Sequence, residues 1–372
     1  MRTFVGMIVV LGLATGCLAA AEDVVAPPNR VKEAKIIAWG IVPPPVYVQK
    51  HIDEMEKVPV DGLVLSLYAN GHHDPTTKPD RIASFHSGCW TPRVRTREEY
   101  SESIEALKNT HFKRFTDNFL RFNVVPAEID WFDPRFTGVI ANFRFLAEIA
   151  KEAQFKGILV DTEAYPPAKV FWYSKQNESK KHTVEEYRKR VRECGKAMMS
   201  AAREVFPDIK VIFTLAYENA QGEPEKYGLL PAFLDGMLEG SSPRSVLYDG
   251  YEFSYNYRTP EQFAEKRQVI REKELAWTGV PDLMKDRWRA GFGVWIDYDQ
   301  HWDASDFKKN FFTPAEFAYT LHLAMQYTDR YVWIWSEKTG FWQGNMPRAY
   351  IDALTQARQA DVPRPPARPE AK

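Results

Sequence analysis

The sequence predicts an α/β protein, a single-domain (β/α)8 TIM barrel with a long loop after its second strand. Three observations predict it. Strand-like and helix-like segments alternate about eight times between residues 35 and 360, which argues for parallel βα units on the scale of one barrel. The apolar segments repeatedly end in acids, at Asp161-Thr162-Glu163, Asp297 and Ser336-Glu337, and the carboxyl ends of barrel strands are where such proteins build sites. The first strand is not followed by the glycine-rich phosphate turn of a doubly wound open sheet.

Taken in order, residues 22–34 form a polar, Pro-containing lead-in. Lys35 to Ile41 reads as the first strand, closed by Pro43-Pro44-Pro45 and followed by a helix around residues 48–57. Gly62 to Tyr68 is the second strand. The polar segment 69–95 carries Gly71-His72-His73-Asp74 and Cys89-Trp90, and loops of that length in compact domains are commonly functional. Thr96-x-x-Glu99 is expected to cap the next helix. Phe119 to Val124 is the third strand, with Asp130-Trp131 in the loop beyond it. A helix over 137–153 repeats Ile140, Phe143, Ala147 and Ala150 at helical spacing. The fourth strand is Lys156 to Glu163.

Thr183-x-x-Glu186 caps a helix over 183–205, and Lys210 to Tyr217 is the fifth strand. Ser245 to Glu252 is the sixth, followed by Thr259-Pro260-Glu261-Gln262, a capping box with Pro at the first helical position. Gly291 to Asp297 is the seventh, Thr313-Pro314-Ala315-Glu316 caps a further helix, and Tyr331 to Ser336 is the eighth. A last helix is expected over 347–359. The Pro-rich, charged residues 361–372 are expected to be a disordered tail. The barrel therefore occupies residues 35–360.

Composition sets bounds. The 372 residues are 44% hydrophobic, enough for one large core, and the formal net charge of -1 gives no basis for nucleic acid or an anionic membrane as partner. Met1-Arg2, the apolar run Phe4 to Ala14 and the small residues ending at Ala21 read as a secretory signal peptide over residues 1–21. An exported protein with no transmembrane segment after leader cleavage is expected. Thr15-Gly16-Cys17 resembles a lipoprotein attachment site and makes Cys17 a candidate lipid-bearing residue, while Cys89 and Cys194 are expected to be free thiols. The sequence leaves the oligomeric state open.

Side-chain alternation sorts the acids. In the fourth strand Gly157, Leu159, Asp161 and Glu163 share one face; in the seventh Gly293, Trp295 and Asp297 do; in the eighth Trp333, Trp335 and Glu337 do. The aliphatic faces should pack on helices, so these acids point into the barrel mouth. Glycoside cleavage uses a carboxyl that protonates the leaving oxygen and commonly an opposing carboxylate. Glu163 is the candidate general acid, with Asp161 beside it raising its pKa by like-charge repulsion. Asp297 and Glu337 are the candidates to oppose it.

The chain carries 11 Trp and is 14% aromatic, and flat rings at strand ends suit sugar faces. Candidate substrate-binding residues are Trp39, Asn123, Tyr165, Tyr217, Tyr248, Asp249, Glu252, Trp295, Trp335 and Trp342, with Trp90, Trp131 and Trp302 as further loop indoles and Tyr251 and Tyr255 near the sixth-strand acids. Asp249 and Glu252 lie on opposite faces, so only one should point inward.

Gly157-Ile158-Leu159-Val160-Asp161-Thr162-Glu163 resembles the end of the fourth-strand motif of chitinase-type (family 18) glycoside hydrolases. Tyr248-Asp249, Trp333 and Trp335 are similar to the aromatic and acidic strand ends of that family. Lys156 and Leu159 depart from it, standing where the family has Asp. The resemblance implies a barrel glycosidase with the general acid at Glu163. The function expected is therefore an exported hydrolase of a polysaccharide or oligosaccharide, needing no cofactor and no metal. The alternative is a barrel that binds glycan without cleaving it. His72 and His73 point to opposite sides of an extended chain and make a poor chelate; His86 or His301 could complete a metal site only by folding towards them. The chain has no Gly-x-Ser-x-Gly elbow and no phosphate loop.

Overall fold

A computed structural model describes residues 30–73, 83–125, 129–165 and 169–366. The expected leader, Cys17, Asp74 and the last six residues lie outside them. Nine strands are all parallel among the described residues: β1 Lys35–Ala38, β2 Gly62–Leu65, β3 Phe119–Asn123, β4 Gly157–Asp161, β5 Lys210–Phe213, β6 Val246–Asp249, β7 Trp288–Ala290, β8 Phe292–Trp295 and β9 Tyr331–Trp335. Their order is β7-β6-β5-β4-β3-β2-β1-β9-β8. Only Gly291 separates β7 from β8, so the two are halves of one bent stave. The lower half pairs with β6 and the upper with β9. The Gly291 amide donates to the Asp249 carbonyl at 2.7 Å and the Gly293 amide to the Tyr251 carbonyl at 3.3 Å, which closes the ring. The fold is thus the α/β barrel the sequence predicts.

Alternation along the strands separates two cores. Inward-facing residues fill the barrel, including Ile37, Val64, Phe119, Leu159, Ile212 and Tyr331. The alternate residues pack outward beneath the helices, among them Ile36, Leu120, Ile158, Val211 and Val332. The inward face of β4 is therefore the face that ends in Asp161.

The helices are α1 Pro45–Met55, α2 Ser101–Lys108, α3 Thr137–Glu152, α4 Val184–Val205, α5 Tyr217–Gly222, α6 Pro224–Tyr227, α7 Leu230–Gly240, α8 Pro260–Arg271, α9 Pro281–Arg287, α10 Pro314–Tyr327 and α11 Arg348–Gln356. The reciprocal capping bonds expected at Thr183/Glu186, Thr259/Gln262 and Thr313/Glu316 all form, opening α4, α8 and α10. Thr96/Glu99 behaves differently. Arg93 draws the Glu99 carboxylate, a 3-10 turn occupies Glu98–Tyr100, and α2 begins only at Ser101. Cys89 and Cys194 are buried free thiols. Residues 361–366 have no regular structure, and Val362 among them is buried.

Gly40, just after β1, joins the two ends of the chain's first and last staves. Its φ is +97°, and a Cβ there would lie 2.2 Å from the Ser336 carbonyl oxygen. Left-handed backbone and a backbone clash both act against any side chain. Gly40→Ala is expected to destabilise the fold by more than about 2 kcal/mol, measured by denaturant unfolding; a change within 0.5 kcal/mol would contradict this packing.

Candidate active site at the barrel mouth

The floor of the mouth is an ion pair between neighbouring strands. Phe119, Arg121 and Asn123 share the inward face of β3, so a charged residue in the middle of an apolar strand points into the barrel. Arg121 donates from Nε to Asn123 Oδ1 at 2.7 Å and from Nη2 to Asp161 Oδ2 at 3.0 Å. Its guanidinium lies 4.8 Å from the Trp39 ring centroid, with Trp335 beyond at 5.9 Å. This planar cation needs such a frame: a buried charge is tolerated when paired and hydrogen-bonded. Asp161 Oδ1 also accepts from the Glu163 amide at 3.3 Å and the Thr214 hydroxyl at 3.5 Å. Asp161 thus fixes where the chain turns towards Glu163.

Glu163 meets a second carboxyl. It interacts with the carboxyl of Glu252, which reaches in from the 3-10 turn Glu252–Asn256 after β6, and it accepts the Tyr165 hydroxyl. Burial pushes Glu163 above its ordinary carboxyl range; Asp161 adds to that, while the Tyr165, Glu252 and Lys226 contacts work the other way. Burial pushes Glu252 well above that range too, and the charges of Glu163 and Asp161 add to it, against a hydrogen bond from Tyr255. Two neighbouring carboxyls cannot both be ionised cheaply, which is why each raises the other's affinity for a proton.

Aromatic rings surround the pair. Tyr255 packs edge-on against Trp333 at 5.1 Å and Trp295 at 5.4 Å. Trp39 and Trp335 meet at 4.6 Å, and the buried Trp39 indole nitrogen has no hydrogen-bond partner among the described residues. Tyr165 is half exposed above Glu163. On the opposite flank His86 Nδ1 lies 2.7 Å from the Ser66 hydroxyl, and burial together with Arg121 holds this imidazole well below its ordinary pKa.

The sequence-selected residues divide accordingly. Asp161, Glu163, Trp39, Asn123, Tyr165, Glu252, Trp295 and Trp335 come together at the mouth. Glu337 is an exposed rim acid whose Oε1 accepts the Trp335 indole N–H at 3.2 Å. Asp297 is not free to oppose Glu163. It is fully buried, and its oxygens accept the Trp295 indole at 2.7 Å and the backbone amides of Glu337, Lys338 and Thr339 at 2.5–3.2 Å. It anchors the segment after β9.

Tyr248 is an inner-core ring in edge contact with Tyr331, at 5.0 Å, below the mouth. Asp249, Tyr217 and Trp342 lie on the helix side. Asp249 pairs with Glu274, Tyr217 donates to Asp235 at 2.9 Å, and Trp342 donates to the Met55 carbonyl at 3.1 Å. Trp90 and Trp131 pack on each other in the outer core, 5.5 Å apart, and Trp302 packs on Tyr350 at 4.7 Å. Arg121 was open to the same alternation argument as Asn123, two residues on, and is the functional residue that argument should have found. Among the described residues no three His, Cys, Asp or Glu side chains gather where a metal ion could sit. Among the same residues, no helix is long and apolar enough to cross a membrane.

No protein-family model and no curated protein matches the chain. Solved structures with a similar chain trace include a GH18 chitinase from Pseudoalteromonas aurantia (13% identity, 87% of this chain and 100% of that one, TM-score 0.44). A GH5-4 broad-specificity endoglucanase from Bacteroides salanitronis is similar at 10% identity, 89% and 94% coverage and TM-score 0.49. A 3-keto-D-glucoside 4-epimerase from E. coli is similar at 13%, 87%, 99% and 0.41. Likeness this slight assigns no reaction; the barrel itself is read from the strand order.

The Asp297 anchor is directly testable. Asp297→Ala strips the acceptor from several buried donors and is expected to cost about 3 kcal/mol or more in unfolding free energy, with Glu337→Ala within about 0.5 kcal/mol of wild type. Equal, small effects of the two substitutions in chemical denaturation would refute the anchoring role.

Proposed function

We propose that the protein is an exported glycoside hydrolase that cleaves a polysaccharide or oligosaccharide by carboxylate acid/base catalysis. The observation that carries this reading is the pairing of two carboxyls, Glu163 and Glu252, at the barrel mouth, beside Asp161 and within a wall of indoles. Protonating a leaving oxygen near neutral pH requires an acid whose pKa lies above the ordinary carboxyl range, and burial beside other carboxyls supplies it. Indole and phenol faces at the mouth suit the apolar faces of sugar rings.

The roles follow from position. Glu163 lies under the half-exposed Tyr165 and delivers the proton. Glu252 lies deeper and stores it, and the negative pair left after delivery can take a proton back from the attacking water. Glu252 interacts with Glu163 itself, so it acts with Glu163 and not across the sugar from it. Asp161, braced by Arg121, orients Glu163 through its amide. Glu337 at the rim is the remaining candidate for an opposing carboxylate.

The test is sugar release from a broad glycan panel. Wild type is expected to release sugar, and Glu163→Gln to fall by about 10²–10⁴-fold. Activity should decline as pH rises through the raised pKa of the pair, because the acid must keep its proton. Glu252→Gln should move that alkaline limb to lower pH by leaving Glu163 to titrate without its partner. If neither wild type nor Glu163→Gln releases sugar while both are retained on a glycan, the barrel binds glycan without cleaving it and the hydrolase reading fails.

A further inference from the structure

A second pair of acids is buried behind the first, on the helix side of β6. Tyr248 points into the barrel, so Asp249 points out. Asp249 Oδ1 accepts the Tyr251 amide at 2.8 Å. Glu274, in the 3-10 turn Lys273–Ala276, accepts the Trp288 indole N–H on Oε2 at 2.8 Å. The remaining oxygens, Asp249 Oδ2 and Glu274 Oε1, are both buried and receive no N–H or hydroxyl from any described residue. The two carboxyls act on each other's charge, and two buried carboxyls with unpartnered oxygens are least costly when they hold one proton between them. The charged groups facing them are Glu218 of α5 and Lys266 of α8, joined to each other at 2.6 Å. Tyr217 of α5 also lies within the field of Glu274, and Lys266 sits 4.8 Å from the Tyr251 ring.

What this pair holds is the turn that carries Glu252. Tyr251 has a φ of +26°, backbone that a non-glycine residue rarely adopts. Its neighbours are pinned to the barrel. The Gly250 amide donates to Phe213 at 2.7 Å, the Trp333 indole donates to the Gly250 carbonyl at 2.7 Å, and the Glu252 amide donates to Thr214 at 3.0 Å. The amide of Tyr251 itself is held by Asp249. We propose that Asp249 and Glu274, joined by a shared proton, are positioning residues that keep the Tyr251 turn in its strained form and so aim Glu252 at Glu163. This rests on the reading of Glu163 and Glu252 as the working acid pair.

The device has a pH limit. Burial, the first cause, pushes Asp249 up to about 7 and Glu274 well above its ordinary value. Both folded-state values are raised, so the folded form binds the extra proton and its advantage is lost as pH rises through them. Above that range two buried carboxylates repel, the turn relaxes and Glu252 leaves Glu163. In Glu274→Gln the amide can donate to Asp249 while its oxygen still accepts from Trp288, without any titrating proton.

The test compares amide hydrogen exchange over residues 246–256, corrected for intrinsic rates, at pH 6 and pH 9. Wild type is expected to lose protection there by about tenfold or more at the higher pH; Glu274→Gln should stay protected at both, and Glu274→Leu should be unprotected at both. Equal pH-dependent loss in wild type and Glu274→Gln, or full protection in Glu274→Leu, would overturn the proposal. If Glu274→Leu does not fold, wild type against Glu274→Gln still decides. Should no variant hydrolyse any glycan, exchange alone judges the positioning device, and the hydrolase reading fails separately.

Discussion

Two carboxyl groups brought into contact away from water hold one proton between them or are driven apart. That constraint acts twice in this protein, on opposite sides of the same strand end. At the mouth, where burial raises both groups above the ordinary carboxyl range, it suits Glu163 and Glu252 to the proton store proposed for them. Behind β6 it makes Asp249 and Glu274 a clasp on the turn between them. The turn at Gly250 and Tyr251 is where the two meet. Its backbone is bonded to β5 and to Trp333 inside the barrel and to Asp249 outside it.

The closed ring of strands is what permits this economy of position. Bending the seventh stave at Gly291 lets one segment pair with both β6 and β9, so among the described residues the ring leaves no open edge and most inward side chains are enclosed. Enclosure raises the cost of a lone charge, and the barrel meets it with specific partners. Arg121 has Asp161, Asn123 and an indole face; Asp297 has a row of backbone amides. The first combination braces the site floor, and the second fixes the segment after β9.

Period-two and local signals were readable from the sequence. Alternation correctly placed Leu159, Asp161, Trp333 and Trp335 on the barrel side, and three of the four capping boxes form as written because each involves only residues three apart. Alternation fails where strands stop. Glu252 stands beyond a left-handed residue, so parity along the sixth strand could identify it as a candidate but not as the partner of Glu163. The place of Asp297 depends on amides some 40 residues later in the chain. At Thr96/Glu99 only the amide half of the box forms, to Glu99 Oε2, while Arg93 takes the other oxygen. Trp342 and Tyr217 show the limit of composition: an aromatic near a strand end packs on helices as readily as it lines a mouth.

The most direct measurement is a carboxyl 13C titration of glutamate-labelled protein between pH 4 and pH 9, with Glu163→Gln and Glu252→Gln used to assign the two resonances. A single proton shared by the pair at pH 7, released well above the ordinary carboxyl range and abolished as a coupled event by either substitution, is the expected result. Independent titration of both groups near 4 to 5, leaving two carboxylates at pH 7, would contradict the shared proton and the acid chemistry built on it.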